Sequence, residues 1–356
     1  MVSRFLAGCG SSESEDAGAE AGRELAAGLV GAVKQAAEVG EPFRCAELGG
    51  PGGAGGPVAA ELGRRVGRRL TLEGDRLVMG AAEGGERDRT LVMGVVADAR
   101  GAGAATLAQI GRTRAELERE QVELVVSVGG MGTGQEELSQ VLAALARDAR
   151  WVVWAIPGER ESIPAHRAAV AGLAAAGYPV FDGTRVRMVE VDGAVLASFP
   201  GGAEASQLMA GADGCVHRPG DASALAMRLG KQKGVRVWVG HSPPRQAGAV
   251  ASDVALGGVH VGEVEVAAAL PAARAQLVLH GMVDEAALGA ASGRAALGER
   301  GGPTVLGSGP IEAMPIAGPD GATFAGGALV VWVSSSASEI TWRRVRFPLD
   351  GALAPR

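Results

Sequence analysis

The stretch Leu91-Val92-Met93-Gly94-Val95-Val96-Ala97 carries no polar side chain, and Asp98-Ala99-Arg100 follows at once. An apolar run of this kind, closed by charge, reads as a strand buried on both faces, and such strands belong to parallel sheets. The rhythm then repeats. Thr106 to Glu120 has helical spacing, Val122 to Val128 is a second buried strand, and Gln135 to Arg147 is helical. Trp151 to Ile156 is a third strand and Ser162 to Ala175 a further helix. Strands alternating with helices of this length predict an α/β fold around a mainly parallel sheet.

Farther along, Val186 to Val191 and Ala194 to Phe199 flank Asp192-Gly193, a hairpin signal. Asp221 is placed to cap a helix running to Lys231. Val235 to Val239 and Leu277 to His280 read as strands, Val264 to Ala273 as a helix, and Ala328 to Val333 with Ile340 to Phe347 as late antiparallel strands. Parallel units followed by hairpins predict two stacked sheets flanked by helices. Upstream, Ala21 to Val39 has the spacing of an amphipathic helix, Gly49 to Gly56 is a loop, and Pro57 to Val66 is a short helix. Leu70 to Leu72 and Arg76 to Met79 form a hairpin around Glu73-Gly74-Asp75. The expected organisation is a tether over residues 1–19, a small α+β extension over 20–88, and the main domain over 89–350.

The composition of the 356 residues narrows the functions. Hydrophobic residues make up 47% but aromatics only 3%, so the core must be built from Ala, Val and Leu. The formal net charge of -6 argues against a surface that tracks nucleic-acid phosphates. No segment approaches the roughly 18 consecutive apolar residues of a membrane span. The three cysteines, Cys9, Cys45 and Cys215, make neither a disulfide framework nor a CxxC metal motif. Cys45 and Cys215 are expected as small buried hydrophobes, with pairing open to them in an oxidising compartment.

Leu6-Ala7-Gly8-Cys9 resembles a bacterial lipobox, in which the cysteine is lipidated and becomes the new N-terminus. The Ser-, Glu-, Gly- and Ala-rich stretch after it suits a flexible tether. The apolar stretch of a signal peptide, about 7–15 residues, does not precede it. The lipobox reading implies a bacterial envelope protein of the outer membrane or periplasm, held to the membrane by a lipid at Cys9. A cytoplasmic location follows if the motif is accidental.

In an α/β sheet, chemistry sits at the carboxyl ends of the strands. There stand Asp98-Ala99-Arg100, Gly129-Gly130-Met131, Pro157-Gly158-Glu159-Arg160-Glu161, Gly240-His241-Ser242-Pro243-Pro244 and Gly281-Met282-Val283-Asp284-Glu285. In order and spacing these resemble the D-x-H, G-D, G-N-H-D/E, H and G-H-x-H motifs of calcineurin-like metallophosphoesterases. The resemblance covers residues 90–290. It implies a four-layer α/β/β/α sandwich and, in the family, two divalent metal ions sharing a bridging carboxylate.

Two positions match the family motifs: Asp98 is the first Asp and His241 the isolated His. The others depart. Arg100 stands for a His, Gly130 for the bridging Asp, Glu159 for the Asn, Arg160 for the proton-donating His, and Met282 and Asp284 for the two final histidines. Arg has no free lone pair to give a metal, and Gly130 has no side chain at all. The resemblance therefore implies a degenerate phosphoesterase without catalytic residues or a resident cofactor, serving in binding or assembly with an envelope protein partner and not with nucleic acid.

Other readings stay open. One is an active phosphoesterase with a single ion on Asp98, His241 and Asp284, with Glu159 as a further donor. Another is an anion sensor in which Arg100 and Arg160 replace the cations, or a nucleotide sensor built on the glycine run Gly129 to Gly134. In the blander alternative, each of those arginines simply pairs with a neighbouring acid. Ser242 lacks a Gly-x-Ser-x-Gly context, which argues against a serine hydrolase.

Overall fold

The structure, a computed structural model, describes residues 44–45, 57–81, 90–203, 208–248, 251–255, 257–297, 302–317, 323–336 and 338–348. The lipobox at Cys9, the tether, the Ala21 to Val39 helix and the Gly49 to Gly56 loop lie outside them. The chain enters through α1 (Pro57–Val66) and the hairpin β1 (Arg69–Glu73) and β2 (Arg76–Gly80). The α/β run follows as β3 (Leu91–Val96), α2 (Ala104–Arg119), β4 (Leu124–Val128), α3 (Gln135–Ala146), β5 (Val152–Ile156), α4 (Ile163–Ala175) and β6 (Val180–Asp182). A second series comprises β7 (Met188–Val191), β8 (Ala194–Phe199), α5 (Asp221–Gly230), β9 (Val235–Gly240), β10 (Val254–Ala255), β11 (Val259–His260), α6 (Val264–Ala273) and β12 (Leu277–His280). The tail adds β13 (Ser292–Ala296), β14 (Thr304–Gly307), β15 (Pro315–Ala317), β16 (Thr323–Ser334) and β17 (Glu339–Pro348).

Two sheets result. One has the order β1-β2-β7-β8-β9-β12-β14, the other β13-β17-β16-β3-β4-β5-β6 with β15 paired to β16. Alternation along each strand sends side chains to both faces. From β8, Ala194 and Leu196 enter the core between the sheets, while Val195, Ala197 and Phe199 meet α5 and α6 outside. From β4, Val126 and Val128 point inward, and Val125 packs under Ile110, Leu138 and Val141 of the outer helices. The layers are α/β/β/α. Each buried Val or Leu contributes roughly 1.5–3 kcal/mol, and the inner core holds Trp154 as its one tryptophan without exposure.

Local chemistry accounts for the element ends. Asp192 (φ 45°) and Gly193 (φ 77°) make the left-handed turn that a tight hairpin between β7 and β8 requires. Ser162 caps α4 by accepting a bond from the Ala165 amide, and Pro164 fits the first turn. Asp221 is not the cap expected of it. It is the first residue of α5, and its carboxylate receives the Arg218 amide at 2.8 Å and the Arg44 guanidinium at 2.5 Å.

The early hairpin extends the first sheet, because β2 pairs in parallel with β7. Leu62, Val66 and Leu70 join the core between the sheets. Buried Arg68 ties the sheets together, reaching Asp192 at 2.6 Å in one and Glu123 at 2.5 Å at the entry to the other. Cys45 and Cys215 are both buried, as expected, but they are joined in a disulfide with Cα atoms 5.7 Å apart, within the range such a bond spans. Among the described residues no helix is long and apolar enough to cross a membrane.

Candidate functional site

The carboxyl ends of β3, β4 and β5 in one sheet and of β9 and β12 in the other bring five loops to the seam between the sheets. Hydrogen bonds join them tip to tip. The Asp98 amide donates to the Gly129 carbonyl at 2.9 Å and the Arg100 amide to Gly130 at 2.8 Å. Asp98 and Arg100 both take positive φ, 53° and 55°, to make this turn. Glu161, 1% exposed, accepts the Met131 amide at 2.7 Å and the Gly158 amide at 2.9 Å, fastening the second loop to the third. The Gly281 amide reaches the His241 carbonyl at 3.1 Å, and the Met282 amide donates to Asp98 Oδ2 at 3.2 Å.

His241 lies fully buried at the centre. Its Nδ1 is 2.6 Å from the Val128 carbonyl, which only accepts, so Nδ1 carries the proton and Nε2 turns to the Glu159 carboxylate, which it touches. Burial opposes charge on this imidazole, but Glu159 and then Asp98 outweigh it and raise His241 to about 10. The imidazolium in turn overcomes burial at Glu159 and lowers it to about 2. Asp98 is pushed up to about 7, chiefly by burial, with Glu159 and Asp284 adding to the effect and His241 and Arg100 opposing it. The ring fits because the loops around it are glycine: a Cβ on Gly129 or Gly158 would run into the imidazole.

Asp98, Glu159 and His241 gather one ligand atom each within 4.8 Å. Asp284 does not belong to that group. Its carboxylate receives Arg100 Nη2 at 2.5 Å, while Arg100 Nη1 reaches Glu312 at 3.3 Å. Of the two candidate anion-binding arginines, Arg100 is thus taken by acids. Arg160 has a buried Nε with no hydrogen-bond partner and makes no ion pair among the described residues. Met282 contributes only its backbone, at φ 63°.

A pair of divalent ions does not fit these residues. A Cβ on Gly130 (φ 72°) would collide with Asp98 Oδ1, so the carboxylate of Asp98 fills the room that a bridging side chain would need. Arg100 and Asp284 neutralise each other where a histidine pair would ligate.

The glycine run and the other buried histidines have their own partners. At the start of α3, Glu137 accepts the Thr133 amide at 3.0 Å and the Thr133 hydroxyl at 3.2 Å, so a carboxylate holds the position a nucleotide phosphate would take. Buried His280 is lowered to about 4, first by burial, and accepts the Ser252 hydroxyl at 3.0 Å as a neutral ring. His166 pairs with Asp182 at 3.3 Å and His217 with Glu263 at 2.6 Å. Sequence reasoning missed the role of Glu161, although the final acid of the G-N-H-D/E motif falls on it.

No family model matches the chain, and no curated protein does. Solved structures do. One is 12% identical with TM-score 0.52, covering 72% of this chain and 99% of its own. A protein of Thermus thermophilus is 12% identical with TM-score 0.47, covering 72% and 99%. A dimetal phosphatase from Danio rerio is 13% identical with TM-score 0.44, covering 72% and 100%. At these identities the likeness is one of fold and not of reaction. The two-sheet sandwich with its five converging loops is the calcineurin-like metallophosphoesterase fold.

Proposed function

We propose that this protein is a degenerate metallophosphoesterase that binds or assembles with an envelope protein instead of hydrolysing phosphoesters. The observation that supports this most directly is Gly130. Where the family carries its bridging carboxylate this chain has none, and Asp98 occupies the space. With Asp284 and Glu312 engaged by Arg100, few carboxylates are left at the seam to compensate two dications. Purified protein is expected to carry no stoichiometric Mn, Fe or Zn and to leave p-nitrophenyl phosphate and its bis-ester intact. Metal-dependent turnover that disappears in Asp98→Ala contradicts the reading.

The placement in the envelope rests on the lipobox at Cys9 and on the Cys45–Cys215 disulfide, since such bonds persist in oxidising compartments. Mass spectrometry of the mature N-terminus tests it: a diacylated or triacylated Cys9 is expected, and an unmodified Met1 refutes it. A second reading, a single-ion phosphoesterase, is favoured by the Asp98, Glu159 and His241 donor set. Stoichiometric metal lost in Glu159→Gln separates it from the first. A third, an anion sensor, keeps Arg160 as the cation of its pair that no described acid neutralises. It predicts that inorganic phosphate raises the melting temperature and that Arg160→Ala removes the shift.

A further inference from the structure

Away from the strand-end cluster, a cleft of about 490 Å³ opens between α6, the loop that follows β9 and the entry to the edge strand β14. Leu270, Pro271, Pro244 and Pro303 supply apolar walls, and Arg245 and Arg274 line the same space. Among the described residues no Asp or Glu does, although the chain as a whole has a net charge of -6. The volume falls within the range of small-molecule sites, which are mostly apolar with a few polar groups that fix orientation.

Neither guanidinium is spent on an acid among the described residues. Arg245 gives one N–H to the His260 carbonyl at 3.0 Å and otherwise faces solvent. Arg274 caps α6 at φ 48°, is exposed, and its side chain has no hydrogen-bond or ion-pair partner among the described residues. A third cation adds to the field: Arg236 donates its Nε to the Arg274 carbonyl at 2.9 Å. Its own charge is disfavoured by burial and then by Arg274, which shows how positive this corner is. Elsewhere Arg68, Arg76, Arg100 and Arg228 each meet a carboxylate, which neither Arg245 nor Arg274 does among the described residues.

We propose that this cleft binds a small amphipathic anion, with a carboxylate or phosphate head held by Arg245 and Arg274 and an apolar body laid against Leu270 and the prolines. Guanidinium matches both heads, because each presents paired oxygens to its planar fork. The apolar body distinguishes the ligand from free phosphate, which the cleft would bind only through its rim. The site is separate from the charged side chains of the strand-end cluster, none of which lines it, although Pro244 comes from the same loop as His241.

Calorimetric titration of the full-length protein with hexanoate, hexyl phosphate and inorganic phosphate tests the assignment. Saturable binding of at least one hexyl probe is expected, each tighter than inorganic phosphate, and the stronger of the two names the head group. Removing either guanidinium by Arg245→Ala or Arg274→Ala weakens binding by about tenfold. Both residues are exposed, so these variants fold, and an unchanged thermal midpoint without ligand verifies it. Arg119→Ala, an exposed arginine of α2 outside both sites, leaves binding intact. No binding by either hexyl probe, binding undiminished in the double arginine variant, or binding lost in Arg119→Ala each overturns the proposal.

Discussion

The strand-end cluster has two halves that balance their charges by opposite physics. Around His241 burial dominates: the imidazole and the Asp98 carboxylate are buried, Glu159 is 18% exposed, and a wall of glycines closes on the ring. Around Arg100 the pairs with Asp284 and Glu312 stay a quarter exposed, at 23%, 27% and 30%. Water screens the second set and not the first. The lesson is that charge is balanced by different means at different depths, by a locked ion pair inside and by an interchangeable one at the rim.

His241→Ala is the hardest test of that contrast. It leaves the Glu159 and Asp98 carboxyls buried without their counter-charge and is expected to cost about 4 kcal/mol in chemical denaturation. A loss below 1 kcal/mol (about the worth of an exposed pair) would erase the distinction between the halves. Next in size is Gly130→Asp, which restores the family residue. With Asp98 in its way and a left-handed backbone to adopt, it is expected to destabilise by about 3 kcal/mol. A variant that is more stable once Mn is added would instead show that the old centre can be rebuilt.

The buried half also sets a pH profile. His241 is raised, so its contribution is whole below about 6.5 and is lost as the pH climbs through about 10. Glu159 is lowered, so its contribution is whole above about 4.5 and is lost as the pH falls through about 2. Asp98, raised to about 7, acts in the same sense as His241, its contribution fading from about 3.8 upward. Between about pH 4.5 and 6.5 the lowered His280, whose contribution grows with pH, offsets Asp98, and urea midpoints are expected to fall from about pH 6.5 to pH 10. A midpoint that rises over that interval contradicts the charge states assigned here. The smallest effect belongs to the rim. Arg100→Ala should cost about 1 kcal/mol, and less in high salt, as a half-exposed pair does.

Much of the frame is readable without coordinates. Leu91 to Val96, Leu124 to Val128 and Val152 to Ile156 are apolar on both faces, and burial on both faces is what such runs report. The late strands give no such signal. Ser292–Ala296 alternates exposed and half-buried small residues, Pro315–Ala317 exposes two of its three, and Val180–Asp182 is too short to show a period. At the site, Asp98 and His241 announce themselves by standing at strand ends. That Glu159 would answer His241, or Arg100 answer Asp284, depends on how loops from different strands approach, which spacing along the chain does not encode. The same holds for Cys45 and Cys215, 170 residues apart.

The glycines that crowd His241 bear on how kindred proteins are to be sought. A methyl group at Gly129 or Gly158 strikes the ring, and one at Gly281 comes within 3.1 Å of its Nδ1. A chain that keeps this buried imidazole must keep bare backbone at those tips, whatever becomes of its acids. The fingerprint of such a lineage is then a set of absences, small residues closing three distant strands around one histidine, and a profile weighted on metal-binding side chains would pass it by.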